Sequence, residues 1–148
     1  MYQNNKKIIK LSEDHKPFQK IERARIIAAG GHIFQGRVDG GLNLSRAIGD
    51  FDYKANHKLK PEKQMVICIP DIKKHVIDPS VDKFVVIGCD GVWEIINQNQ
   101  VCDIVNKKLT TKADLSMKIL AEACEEICDR NLAKTFKTGL GLDNMTAI

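Results

Sequence analysis

The sequence lacks any apolar run that could cross a membrane, because no segment of its 148 residues approaches 18 consecutive apolar positions. It also lacks a secretory signal, since the polar start leads only into Ile8-Ile9. The five cysteines are odd in number and follow no regular framework, which indicates reduced thiols and not a disulfide scaffold. These absences predict a cytoplasmic protein, with the nucleus as the alternative, and no membrane partner.

A strong excess of one charge is missing as well. The formal net charge is only +4, and the lysines are scattered in pairs such as Lys73-Lys74 and Lys107-Lys108. Such pairs are typical of solvated faces and do not form the basic stripe that nucleic-acid binding requires. We therefore predict no nucleic-acid partner, although a mildly basic surface would still attract a phosphorylated protein.

Enough apolar sequence is present for one domain with a core, because 43% of the residues are hydrophobic. The first clear helix has an apolar stripe: Phe18, Ile21, Ala24 and Ala28 recur at helical spacing, and Gly30-Gly31 supplies a stop. This pattern predicts an amphipathic helix of about thirteen residues that buries the stripe.

Strands are predicted where short β-rich runs alternate with turn signals. The run at 84–87 contains four consecutive apolar residues, which is typical of a strand buried on both faces. A lysine-rich loop at 55–63 is expected to be a mobile surface segment. The remaining predicted strands are residues 6–12, 32–36, 41–45, 65–69 and 72–77, with a turn at 37–40, and a last strand that begins at Met145. Because strands come in groups with helices added afterwards, the class is α+β with mainly antiparallel pairing.

Two further helices are predicted in the second half of the chain. Asn97 or Asn99 could cap the first, and a capping-box pattern at 111–114 opens the second. Their apolar stripes are Val101, Cys102, Val105 and Leu109 in the first helix, and Leu115, Ile119, Leu120, Ala123, Cys124 and Ile127 in the second. We expect the stripe of the second helix to pack on a sheet and not on a partner protein.

Two carboxylates stand next to predicted strands. Asp90 directly follows the apolar run at 84–87, and Asp143 precedes the strand that begins at Met145. If these strands are antiparallel neighbours, both carboxylates lie at the same edge of the sheet. Their oxygens suit Mg²⁺ or Mn²⁺, but Asp-Gly and Asp-Asn are also common turn pairs. The residues alone leave metal binding and turn formation both open.

Three blocks in a fixed order carry a family resemblance, and together they cover about a third of the chain. They are residues 37–54, with Ser45-Arg46-Ala47-Ile48-Gly49-Asp50; residues 84–103, with Cys89-Asp90-Gly91-Val92-Trp93; and residues 139–148, with Asp143-Asn144-Met145-Thr146. With these blocks the sequence resembles the metal-dependent protein serine/threonine phosphatases of type 2C. The resemblance implies a β-sandwich of two antiparallel sheets flanked by helices, with a two-metal site at one end.

The resemblance also implies roles for individual residues. Asp90 and Asp143 match metal ligands, so Mg²⁺ or Mn²⁺ is the implied cofactor. Gly91 and Asn144 match residues that support these two turns. The loop at 55–63 falls near the variable flap of the family, where substrate selection takes place.

A second pair of residues is interpreted as structural. Arg46 and Asp50 match a block that supports the floor of the site, and we read them as a structural pair and not as ligands. Glu94 is a mild departure, because aspartate is usual there.

The larger departure is a missing block. The amino-terminal half of the family carries an Asp-Gly-His-Gly-Gly block, whose aspartate bridges the metals and whose histidine acts as general acid, and an arginine that holds phosphate. This chain has neither. We therefore interpret residues 1–148 as a single, partial, type 2C-like catalytic domain without a catalytic residue of its own.

The resemblance predicts an enzyme that hydrolyses phosphoserine and phosphothreonine on protein substrates through a metal-activated water. The alternative is a catalytically inactive fragment or pseudo-phosphatase that acts as a binding module. Since a truncated sandwich exposes apolar strands and edges, we expect self-association or pairing with the missing amino-terminal half.

Overall fold

The computed structural model describes residues 1–3, 7–111, 116–137 and 139–148. Two compact units divide the chain: unit 1 is Met1–Lys10 with Val76–Ile148, and unit 2 is Leu11–His75. Within the described residues the elements are β1 (Tyr2–Gln3), α1 (Lys20–Ala28), β2 (Ile33–Phe34), β3 (Arg37–Val38), β4 (Asp82–Phe84), α2 (Gln98–Thr111) and α3 (Met117–Asn131). β1 pairs with β4 and β2 with β3, both antiparallel, so the predicted α+β class is confirmed. No helix in these ranges is long and apolar enough to span a membrane.

Helix α1, in unit 2, buries a different face from the one that the sequence predicts. Its buried residues are Glu22 and Ile26, whereas Phe18 is 65% exposed and Ile21 is 76% exposed. The predicted stripe is therefore wrong, because ion pairs to Glu22 hold the charged face inward. The helix has nine residues and not about thirteen. Its stop at Gly30-Gly31 is confirmed, since the backbone there closes a Schellman motif with a glycine φ of 92°.

A small hairpin follows α1. β2 and β3 are joined by Gln35-Gly36, whose φ values of 49° and 75° suit the tight turn of a two-residue hairpin. Asp39-Gly40 forms a second turn, as predicted, and leads to a single bridge between Val38 and Leu42. The prediction that Arg37-Val38 belongs to the turn is wrong, because the earlier turn frees these residues to pair with β2.

The core of unit 2 contains Ile26, Val38 and Val66, all fully buried. The predicted strand at 65–69 is reduced to one bridge between Arg46 and Ile67, and no strand is present at 72–77 within the described chain. The strand predicted at 65–69 is therefore wrong in extent, and the strand predicted at 72–77 is wrong. Ile72 is exposed, so an apolar run there finds no sheet to join.

The strand predicted at 84–87 is a strand only at Phe84, because β4 ends at that residue. β4 pairs with β1, where the rings of Tyr2 and Phe84 stack with centroids 5.0 Å apart. Val86 packs against the core, whereas Val85 is 45% exposed and Ile87 is 61% exposed. The run at 84–87 is therefore not buried on both faces, because only one side meets the buried cluster of this unit. That cluster is Val92, Ile96, Val101, Ile104, Val105, Ala123 and Ile127.

The two helices of unit 1 follow most of the sequence pattern, but Leu120 of the predicted stripe is 36% exposed. Asn97 caps α2, because its Oδ1 accepts the backbone N–H groups of Asn99 and Gln100 at 3.0 and 3.1 Å. In α3, Ile119, Ala123 and Ile127 are buried as predicted. The predicted capping box at 111–114 does not start this helix, because its first residue, Thr111, ends α2. Its other three residues and Leu115 lie outside the described residues.

Candidate metal centre

A backbone pairing in unit 1 brings the two predicted metal ligands to the same end. The N–H and C=O groups of Ile87 and Ile148 exchange two hydrogen bonds of 2.8 Å, and the N–H of Cys89 donates to the carbonyl of Thr146 at 3.2 Å. The segments therefore run antiparallel. Asp90 follows the first segment and Asp143 precedes the second, so both lie at the same end of the pair. This is the antiparallel arrangement that the sequence analysis assumed.

Asp90 begins a tight helical turn, Asp90–Trp93. Its Oδ1 accepts the N–H of Gly91 at 3.2 Å. Gly91 is buried against the second turn, because a Cβ at this position would lie 2.7 Å from the carbonyl oxygen of Asn144. A residue with a side chain could not keep the two turns so close, which fits the supporting role predicted for Gly91.

Asp143 lies in a bend and makes the same local contact as Asp90. Its Oδ1 accepts the N–H of Asn144 at 2.8 Å. The carbonyl of Asn144 also accepts a hydrogen bond from the Cys89 thiol at 3.3 Å, so the backbone of Asn144 ties its turn to the segment that carries Asp90. Asp90 and Asp143 are both exposed, which leaves their carboxylates available to a ligand.

Carboxylate oxygens are the donors that Mg²⁺ and Mn²⁺ prefer, so Asp90 and Asp143 fit such a metal in kind. They do not suffice in number. Among the described residues no group of three or more histidine, cysteine, aspartate or glutamate side chains could hold a metal ion. The two aspartates would therefore supply part of a coordination shell.

Arg46 belongs to a buried ion-pair network in unit 2. Its Nη2 lies 2.6 Å from Glu22 Oε1 and its Nη1 lies 2.7 Å from Asp71 Oδ1, while Nη1 also donates to the carbonyl of Ile69. The structural interpretation of Arg46 agrees with these contacts. Within the described part of the chain Asp50 is not among the contacts of Arg46, and its supporting role stays a prediction. Asp50 is instead exposed, with a φ of 50°, just before a tight helical turn.

Sequence reasoning missed Glu22, the centre of this network. Its side chain is only 3% exposed, and it also receives Arg25 Nη2 at 2.6 Å and the Ser45 hydroxyl at 2.7 Å. Burial raises the pKa of Glu22, but the hydrogen bonds from Arg46, Arg25 and Ser45 outweigh this effect and lower the pKa to about 2. The available signal was the Glu22 to Arg25 spacing of three residues, on the helix face that also carries Ile26.

Comparison with known proteins agrees with this geometry. The family model described as "Protein phosphatase 2C" matches residues 1–138, a range that includes Asp90 and ends before Asp143. "Probable protein phosphatase 2C 3" of Paramecium tetraurelia is 44% identical over 138 residues, which are 93% of this chain and 45% of that protein. "Protein phosphatase 2C homolog 2" of Schizosaccharomyces pombe is 46% identical over 137 residues, 92% of this chain and 35% of that protein.

A solved structure is similar as well. The crystal structure of a phosphatase from a pathogenic strain of Toxoplasma gondii has a TM-score of 0.70 and 34% identity, and the match covers 94% of this chain and 40% of that one. The chain thus spans less than half the length of these relatives. The match over most of its length shows that the chain belongs to the protein phosphatase 2C family.

Proposed function

We propose that this chain is part of a metal-dependent protein phosphatase that removes phosphate from serine and threonine residues of proteins. The observation that carries the proposal is the antiparallel pairing of 87–89 with 146–148, which brings Asp90 and Asp143 to one end in a member of this family. One or two carboxylates, completed by water and phosphate oxygens, are how Mg²⁺ is usually bound.

In this proposal Asp90 and Asp143 would hold Mg²⁺ or Mn²⁺ together with ligands that lie outside this chain. The metal would supply charge neutralisation for the phosphate and an activated water. Gly91 and Asn144 keep the two acidic turns close together through their backbones. The general acid and the phosphate-binding arginine would come from the amino-terminal half of the domain.

The test uses the full-length protein and a phosphothreonine peptide with added Mn²⁺. Asp90→Asn should lower the rate of phosphate release by at least about a hundredfold, since it removes a charged metal ligand. Asp129→Asn is the matched control, because Asp129 is an exposed aspartate of α3 in the same unit, and it should leave the rate unchanged. Equal rates for wild type and Asp90→Asn would exclude the proposed function.

A second candidate function is binding without catalysis. Each unit has apolar side chains that are exposed to solvent: Val85 and Ile87 in unit 1, and Phe18 and Ile21 in unit 2. Such faces are typical of protein interfaces. In this alternative the chain would associate with itself or with a separate amino-terminal half.

Light scattering coupled to size-exclusion chromatography separates the two candidates. A binding module should form dimers or larger species at micromolar concentration, and the double variant Val85→Thr and Ile87→Thr should shift it towards monomer. A well-folded chain that stays monomeric would count against this second candidate.

A further inference from the structure

Gly141 lies two residues before Asp143, and both its backbone N–H and its backbone carbonyl are hydrogen-bonded. Its N–H donates to Glu94 Oε2 at 2.7 Å, and its carbonyl accepts the N–H of Ala133 at 3.0 Å. The first of these bonds has a carboxylate acceptor, a class of hydrogen bond that is about twice as strong as a neutral one. The backbone that leads into Asp143 is therefore fixed just before the turn begins.

The space around Gly141 admits no side chain. Its φ of 71° favours glycine, and a Cβ there would lie 2.7 Å from the nitrogen of Ala133 and 2.7 Å from Ile95 Cδ1, and would also strike the carbonyl of Asn131. Gly141 is buried. It packs between the end of α3 on one side and residues 94–95 on the other, a space called here the Gly141 socket.

Asn131 joins the two sides of this socket. Its side chain is fully buried, and its Oδ1 accepts the N–H groups of Ile95 and Ile96 at 3.1 and 3.2 Å. Its Nδ2 donates to the carbonyl of Ile127 at 2.9 Å, within α3. The residues that directly follow the Asp90–Trp93 turn are thus attached to the end of α3.

We propose that Glu94, Asn131 and Gly141, here called the Gly141 clamp, are positioning residues that set the place of Asp143 relative to Asp90. The backbone pairing of 146–148 holds the carboxyl side of the Asp143 turn. The Gly141 clamp holds the amino side, and both attachments lead back to the segment that carries Asp90. The inference rests on the proposed metal-binding role of Asp143.

The family resemblance makes Glu94 the informative member of the clamp, because aspartate is usual at that position. A glutamate side chain is one methylene longer, and here its carboxylate reaches across to the Gly141 N–H. The clamp therefore predicts that position 94 needs a hydrogen-bond acceptor of glutamate length, and that the negative charge only strengthens a bond that a neutral acceptor can also form.

The test compares Glu94→Ala with Glu94→Gln in the ¹⁵N-labelled 148-residue chain. Nuclear magnetic resonance follows the amide signals of Gly141 and Asn144, and Mn²⁺ titration follows the broadening of signals near the site. Glu126→Ala is the matched control, because Glu126 is a carboxylate of α3 that pairs with Lys108 and Arg130. Circular dichroism checks that each variant keeps the helices.

We expect Glu94→Ala to shift both the Gly141 and the Asn144 amide signals and to weaken Mn²⁺ binding roughly tenfold, in the range seen when support of a ligand is removed. Glu94→Gln should restore binding to within about threefold, because the amide oxygen can still accept the hydrogen bond. The control should change neither readout.

An unchanged Asn144 signal in Glu94→Ala would overturn the clamp, and so would equal loss of binding in Glu94→Ala and Glu94→Gln. A wild-type chain that shows no Mn²⁺ broadening would contradict the proposed metal site. In that case the Asn144 signal still decides whether the clamp positions the turn, so the two failures are distinguishable.

Discussion

The Glu22→Gln variant should lose about 3 kcal/mol of unfolding free energy at neutral pH and very little in strong acid. The substitution keeps the size of the side chain but removes the negative charge that faces Arg25 and Arg46, both within 2.6 Å of it. Removing one partner of a buried ion pair leaves the other charges uncompensated, which typically costs about 3 to 5 kcal/mol.

The pKa of Glu22 gives a second estimate of the same quantity. It is lowered from 4.5 to about 2 in the folded chain. At about 1.4 kcal/mol for each pH unit, this difference is worth about 3 kcal/mol. Because the folded pKa is the lower one, the stabilisation is complete above pH 4.5 and is lost as the pH falls towards 2. About 2 kcal/mol should already be lost at pH 3.

The assay measures hydrogen exchange of the Ile26 amide in α1 at pH 7 and pH 3, together with urea unfolding followed by circular dichroism. The free energy of unfolding of wild type should exceed that of Glu22→Gln by about 3 kcal/mol at pH 7 and by about 1 kcal/mol at pH 3. Amides of α3 provide an internal reference, since they lie in unit 1. Glu126→Gln is the matched control: Glu126 is an ion-paired carboxylate at a more exposed position, and its loss should cost less than about 1 kcal/mol.

If the difference in unfolding free energy between wild type and Glu22→Gln stays constant from pH 7 to pH 3, this reasoning is refuted. A constant difference would mean that Glu22 titrates alike in the folded and unfolded chain, so the arginines would not lower its pKa. A control variant that loses as much as Glu22→Gln would refute the claim that burial makes this network strong.

Three further predictions concern single contacts. Asn97→Ala should cost about 1 kcal/mol in urea unfolding, because Asn97 caps α2, and no loss would show that the cap is dispensable. Gln64→Ala should speed hydrogen exchange in the loop at 55–63 and not in α3, because the buried Gln64 amide bonds to backbone groups of the loop. Gly91→Ala should shift the amide signals at Asn144 and weaken Mn²⁺ binding, because its Cβ would press on the Asn144 carbonyl; unchanged signals would contradict the close contact.

The sequence predicted those features that depend on local chemistry. Asn97 was a correct cap because an asparagine before an apolar helical pattern can satisfy the free N–H groups of the first turn. Asp39-Gly40 was a correct turn because both residues tolerate a positive φ. The shared edge of Asp90 and Asp143 followed from an assumed antiparallel pairing, and the structure contains that pairing.

Features that depend on distant partners were not predictable in this way. Glu22 reads as a surface residue until Arg46, 24 positions later, lies against it. The Gly141 clamp joins residues 47 positions apart, and no spacing rule links Glu94 to Gly141. The roles of Asp90 and Asp143 in metal binding remain predictions, because they concern a ligand and not the fold.

The two wrong predictions of burial have a common physical cause. Phe18 and Ile21 have the spacing of a buried helix face, and Val85 and Ile87 complete the pattern of a strand buried on both sides, yet all four are exposed here. A periodic pattern of apolar residues indicates which face of a helix or strand is buried, but not which part of the protein buries it. This chain spans less than half the length of its relatives, and under the proposed function further parts of a phosphatase domain would cover these faces. The same reasoning applies to the proposed metal site: if Asp90 and Asp143 bind a metal ion, its remaining ligands would come from those same further parts of the domain.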